Sequence, residues 1–221
     1  MGSPHGVTRR PQNYPHQMPV TVMPRLYSYK LSRDFGFAPN PFHGICTLAT
    51  CKPKIREGAQ VGDLVFGCGS KSLRMEGRII FAMRVTEKLS FQQYWDDPRF
   101  KVKKARFTSS KAAAFGDNIY HLDRGQWKQE DSHHSLDGGG VNQANLGRDL
   151  NSENVLLSDD FVYWGGLAPQ IPNHLRHFDG DDLYPNVRDF RSRYSDAFIN
   201  EVVRWFANLP ERGNRGRPTF W

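Results

Sequence analysis

Apolar and polar positions first alternate regularly at residues 26–31, where Leu26, Tyr27, Tyr29 and Leu31 fit a strand. Upstream, residues 1–22 are rich in Pro, His and Arg, lack acidic residues and show no period. They read as a disordered leader, with one domain over 23–221. The segment RDFGFAPNPFHGICTLATCKPKIREGA carries the Gly and Pro punctuation of an ordered loop. VGDLVFGCGS predicts a strand entered through Gly62–Asp63 and left through Gly67 and Gly69. Residues Arg78 to Val85 predict a buried strand, followed by a short helix over SFQQYWDD, capped by Ser90 or Thr86 and stopped by Pro98. A basic run covers 99–114, and 115–154 is a long polar stretch, of a kind usually functional or mobile. NVLLSDDFVYWGG predicts a strand pair or a strand and turn. Phe190, Tyr194, Phe198, Val202, Trp205, Phe206 and Leu209 recur at spacings of three and four, predicting a helix near 187–209. The closing ERGNRGRPTFW reads as a mobile tail. Short strands joined by irregular loops, with peripheral helices, suggest a small α+β barrel.

Composition narrows the class. With 221 residues, 38% hydrophobic and 13% aromatic, the chain can bury a core, which excludes a disordered protein. No apolar run approaches the roughly 20 residues of a membrane-spanning helix, and the N-terminus has no apolar signal region. A formal charge of +7 favours a polyanionic partner, either nucleic acid or a phosphorylated small molecule. Three cysteines make no disulfide framework, so they are expected as thiols or ligands in a reducing, cytoplasmic setting. Nothing in the sequence specifies an oligomeric state.

Four groups of residues could carry chemistry. The Pro- and Gly-rich loop presents Asp34, Asn40, Thr47, Thr50, Lys52 and Arg56: the cations suit phosphate, the Asp and Asn suit a base edge. The competing reading is that these polar groups only brace turns. GDNIYHLDRGQWKQEDSHHS concentrates Asp117, Asn118, Tyr120, His121, His133, His134 and Ser135, where histidine can act as acid, base or ligand. Adjacent His133 and His134 would point apart on a strand and could not easily share a metal ion. Among His43, Cys46, Cys51 and Cys68 the spacing does not fit a zinc site, so no metal is expected. A catalytic Cys46 or Cys51 lacks any partner histidine that the sequence can fix. Finally, Arg99, Lys101, Lys103, Lys104 and Arg106, near Tyr94, Trp95 and Phe107, could track a nucleic-acid backbone, unless they form a solvated face.

DFGFAPNPFHGICTLATCKPKIR, GDNIY and LLSDDFVYWG together resemble the second type of nucleotide-modification-associated domain, over about Pro24 to Trp221. The central REGAQVGDLVFGCGS and GRIIFAMRVTEKLSFQQYWDDPRF resemble the PUA-like superfamily of ASCH, EVE and YTH domains. The resemblance implies a PUA-like fold and a setting of phage or bacterial DNA modification and defence, but brings no catalytic assignment. The leading expectation is therefore a domain that binds a nucleotide or modified base, in nucleic acid, through Asp34, Asn40, Thr47, Thr50, Lys52, Arg56, Asn118, Tyr120 and Ser135. The alternative is a hydrolase or transferase using Asp34, Lys52, Asp117 and His133 or His134. A third possibility is a protein-interaction module. No Rossmann, Walker or zincin motif occurs, so no cofactor is expected.

Overall fold

The computed structural model describes residues 23–221; the expected leader at 1–22 lies outside the described residues. The alternation at the start of the domain becomes β1 (Leu26–Leu31), which pairs in parallel with β3 (Leu64–Gly69). β3 pairs antiparallel with β4 (Ile79–Arg84), and β4 with β9 (Asp160–Tyr163). Two-residue edge strands complete this six-stranded sheet, β10 (Phe190–Arg191) beside β1 and β11 (Gly213–Asn214) beside β9. A second sheet orders β2 (Cys46–Leu48), β8 (Asn154–Ser158) and β5 (Glu87–Ser90), and β6 (Tyr120–Asp123) with β7 (Gln126–Gln129) forms a hairpin.

Period-two patterning fixes the layers. From the large sheet, Leu26, Leu64, Phe66, Ala82 and Val162 face α5 (Asp196–Ala207), which contributes Phe198, Val202 and Phe206. Burying each of these three helix side chains is worth about 2 kcal/mol. The opposite face, with Tyr27, Tyr29, Val65, Phe81 and Phe161, meets the second sheet through Cys46, Leu48 and Leu156, and α1 (Pro53–Gly58) through Ile55. On β8 the neighbours of Leu156, Val155 and Leu157, point outward to a third cluster with Phe91, Tyr94 and Tyr120, under α2 (Phe91–Asp96) and the hairpin. Gly67 sits at a register shift where β3 crosses Phe81; a Cβ there would collide with Phe81 and Leu31.

The α+β class holds, but the described strands form open sheets and not the closed small barrel that the sequence suggested. The large sheet ends in two-residue edges, too short to pair onward. The helix near 187–209 is shorter than its stripe. Ser195 caps it by accepting from the Phe198 amide, Phe190 instead pairs with Tyr29 in the sheet, and the Tyr194 hydroxyl bonds Ser28 Oγ at 2.6 Å. The C-terminal segment is not a free tail: Trp221 stacks on Phe42 and donates Nε1–H to the Phe35 carbonyl at 3.0 Å. Ser90 does cap α2, in a reciprocal capping box with Gln93. No helix among the described residues is long and apolar enough to cross a membrane.

Candidate active site

The chain leaves β2 through Ala49 and Thr50 and enters α1 through two left-handed residues, Cys51 (φ 58°) and Lys52 (φ 42°). Non-glycine residues in this region cost of order 1 kcal/mol or more and persist only where their surroundings hold them. Here Arg56, fully buried on α1, reaches back. Its Nε–H donates to the Cys51 carbonyl at 2.8 Å, and its terminal nitrogens donate to the carbonyls of Asn154 (2.7 Å), Asp149 (2.7 Å) and Ser152. Burial lowers the guanidinium to about 10, the nearby Asp149 charge opposing it, so Arg56 remains a cation at neutral pH.

Asp149 ends α4 (Gln143–Asp149), the helix that closes the polar stretch, and it is completely buried. One carboxylate oxygen accepts from the Cys51 amide at 2.8 Å. The other accepts from the Tyr120 hydroxyl at 2.9 Å and lies 2.9 Å from His134 Nδ1. The second ring nitrogen of His134, Nε2, is 3.6 Å from Cys51 Sγ. Thiol, imidazole and carboxylate thus form one chain, drawn from three separate segments. Burial alone would lower the His134 pKa, but its bonds to Asp149 and Cys51 outweigh that and raise it to about 9. Burial would raise Asp149, yet His134, Arg56 and Tyr120 hold it below its ordinary value. Neighbouring His133 behaves oppositely: burial first, then the charges of His134 and Arg33, lower it to about 4, so it is neutral. A protonated imidazole thus stands beside the sulfur, held in place by a buried carboxylate.

The chain opens onto a cavity of about 650 Å³, within the range of small-molecule sites. Lys30, Arg33, Lys52 and Arg148 line it against one acid, Asp137, and Phe35 and Phe37 supply aromatic wall. Lys52 is tethered to Asp189 at 3.2 Å, whereas Arg33 forms no ion pair among the described residues. His133 packs against Phe35 (ring centroids 4.5 Å apart) and Phe37 (5.3 Å), and His134 against Phe37 at 4.6 Å.

Of the residues singled out in the sequence, Cys51, Lys52, His133, His134 and Ser135 line this cavity. Arg56 and Tyr120 lie behind it, touching Asp149. Thr50 is buried beside Cys51 with its hydroxyl unpaired. The others lie elsewhere. Asp34 accepts from the Thr219 amide and hydroxyl, each at 2.9 Å, and from the Tyr163 hydroxyl, anchoring the C-terminal segment. Asn40, Thr47 and Asp117 form a buried network with Lys103: the ammonium donates to Asn40 Oδ1 at 2.8 Å, and Thr47 donates to Asp117 at 2.6 Å. Asn118 donates to the Tyr94 carbonyl at 2.8 Å. Asp117 thus supports the fold away from the cavity, its carboxyl raised by burial against the pull of Lys103. Lys103 is buried too and is not part of a cationic surface; burial lowers it to about 8. Arg99 is tied to Glu87 and Asp97. Lys101 and Arg106 are exposed, and Lys104 sits 3.3 Å above the Trp95 ring. Sequence reasoning missed Asp149, Tyr29 and Arg148, and named Cys51 without its partners. No group of three or more His, Cys, Asp or Glu among the described residues is arranged to hold a metal ion.

Open sheets, one mixed and two antiparallel, with a half-buried thiol next to a buried imidazole–carboxylate pair at a cation-lined cavity, define an α+β protein. The family described as nucleotide modification associated domain 2 matches residues 23–221, and the chain belongs to that family. No curated protein and no solved structure matches the chain.

Proposed function

We propose that this protein is an enzyme of nucleotide or modified-base chemistry in which Cys51 is the nucleophile, His134 its proton carrier and Asp149 the group that orients the imidazole. The observation carrying this reading is the alignment of Cys51 Sγ, His134 and the buried Asp149 at the cavity. Membership of a nucleotide-modification family supplies the substrate theme. Lys30, Arg33 and Lys52 would hold a phosphate, the Phe35 and Phe37 edges would pack against a base, and Ser135 and Asn145 would meet its polar edge. A binding module needs the cations and aromatics but has no use for a thiol joined to a buried ion pair. Residues 23–221 are taken as one domain in this reading, and a reducing, cytoplasmic compartment suits its free thiol.

Alkylation by iodoacetamide, followed by peptide mass spectrometry, tests the proposal. Cys46 and Cys68 are buried, so one adduct is expected, at Cys51. Its rate should fall roughly 10²-fold in His134→Ala, the scale of general-base assistance, and a nucleoside 5′-monophosphate should slow it in the native protein. Equal rates in native protein and His134→Ala would overturn the nucleophile assignment.

Nucleic-acid contact is a second reading, favoured by exposed Lys101 and Arg106 flanking the Lys104–Trp95 pair. It would let the enzyme meet its base within a polymer.

A further inference from the structure

Tyr29 projects from the middle of β1 into the face that meets the second sheet, and it also lines the cavity beside Cys51 and Lys52. It is 2% exposed, and its hydroxyl has no hydrogen-bond partner among the described residues. Burying an unpaired hydroxyl costs about 1–3 kcal/mol, and such exceptions in a folded protein call for a reason. The other tyrosines buried near the site are satisfied: Tyr120 bonds Asp149 and Tyr163 bonds Asp34. Thr50 Oγ1 is also unpaired, but Thr50 does not line the cavity. Burial, with the charge of Cys51 next, raises the Tyr29 pKa well above its ordinary value, so the phenol keeps its proton as a donor. The Lys52 ammonium lies over the same ring, 4.9 Å from its centroid, adding positive potential on that side of the thiol.

We propose that Tyr29 is a catalytic residue of this site, donating its hydroxyl proton in a hydrogen bond to the oxygen that becomes negative when Cys51 attacks a carbonyl carbon, and that the substrate is a base or nucleotide carrying an amide-linked acyl group. The inference rests on the cysteine-nucleophile reading above and adds the reaction class to it. A neutral donor without a partner suits an oxygen whose charge exists only in the transition state. Displacement at a saturated carbon creates no such oxygen and has no need of one.

The steps balance with water as the sole co-reactant. With the proton already on His134, the Cys51 sulfur bonds to the carbonyl carbon. The carbonyl π pair moves onto oxygen, where Tyr29 holds it. The C=O re-forms as the C–N bond breaks, and the nitrogen departs with the proton from His134. Water then adds to the thioester with His134 taking its proton, the C–S bond breaks, the carboxylic acid leaves, and the sulfur is again paired with protonated His134. A nitrogen leaving group cannot depart as an anion, so a protonated imidazole at the sulfur is the partner this chemistry requires.

Tyr29→Phe tests the proposal with two probes of the same sulfur, 4-nitrophenyl acetate, which forms an oxyanion on the way to the thioester, and iodoacetamide, which does not. The expected result is a roughly 10²–10³-fold loss in the acylation rate of Cys51, the scale of one oxyanion donor, with alkylation within about twofold of the native rate. Because the lost hydroxyl was unpaired, Tyr29→Phe should unfold at the same urea concentration as the native protein or higher. Unchanged acylation, or an equal fall with both probes, would overturn the Tyr29 assignment while leaving the thiol standing. Failure of the thiol reading has a different signature: alkylation insensitive to His134→Ala.

Discussion

If the His134–Asp149 pair is ionised in the folded protein, replacing Asp149 must change how stability depends on pH, not only its level. His134 rises from an ordinary 6.5 to about 9, its bonds to Asp149 and Cys51 outweighing burial. At 1.36 kcal/mol per pH unit this is about 3 kcal/mol of linked stability. The same interaction underlies the lowered Asp149 pKa, so it is counted once. Both groups are more than nine-tenths buried, and solvent screening takes little from the value. The sign follows from a folded-state pKa above the unfolded one: the stabilisation is present in full below about pH 6.5 and is lost as pH rises through about 9. In Asp149→Asn the carboxylate charge is gone, so the variant keeps only the part of this term that comes from Cys51. One of its two side-chain positions must also set an amide N–H against the Cys51 amide or against the Tyr120 and His134 donors. Urea unfolding of both proteins between pH 5.5 and 9.5, a range in which Asp149 stays ionised, measures the difference. The gap should be largest near pH 6 and narrow by up to about 3 kcal/mol towards pH 9.5. A gap that is constant or widens with pH would refute the ion pair.

Other perturbations separate support from chemistry. Arg56→Ala leaves four backbone carbonyls without their buried donor and should lower unfolding free energy by about 4 kcal/mol in urea titration. His133 is neutral and packs on Phe35 and Phe37, so His133→Ala should leave the pH profile of Cys51 alkylation unmoved while His134→Ala reshapes it. On the outer face, combined Lys101→Ala, Lys104→Ala and Arg106→Ala should flatten the logarithmic salt slope of duplex-DNA binding by about 2–3. Lys103→Ala should instead reduce stability, because its ammonium is buried among Asn40, Ile45 and Thr47 oxygens.

How far the site could be read from the sequence follows from which contacts are local. The strands at 26–31 and 64–69 were legible because alternation and a Gly62–Asp63 entry are short-range signals, although β3 runs on through Gly67 and Gly69, where the sequence placed its exit. The Ser90 cap was legible because its partner Gln93 is three residues away. Helix α5 was overextended because Phe190 and Tyr194 continue an apolar stripe whose first members serve a strand and a capping segment; only the pairing of Phe190 with Tyr29 separates them. The polar network misled in the other direction. Asp117, Asn40 and Lys103 have the chemistry of a site, but their partners are one another and the backbone, which composition does not disclose.

Cys51 illustrates the limit most sharply. Its partner His134 lies 83 residues away, and Asp149 a further 15. Neither separation follows a helical or strand period, and no motif joins them. The local signal at Cys51, a residue before Lys-Pro at a helix entrance, reads equally well as a turn. What converts it into a reactive position is the stretch from residue 115 to 154. The hairpin supplies Tyr120, the following loop supplies His134, and α4 brings Asp149 back onto the Cys51 amide. The sequence marks His133 and His134 alike as possible acid, base or ligand, but their surroundings separate them. One ring meets a buried carboxylate and carries charge; the other meets phenylalanines and does not. A long polar segment inside a compact domain is thus explained by what it carries: polar residues that would be surplus on a surface become the second half of a buried ion pair beside a thiol.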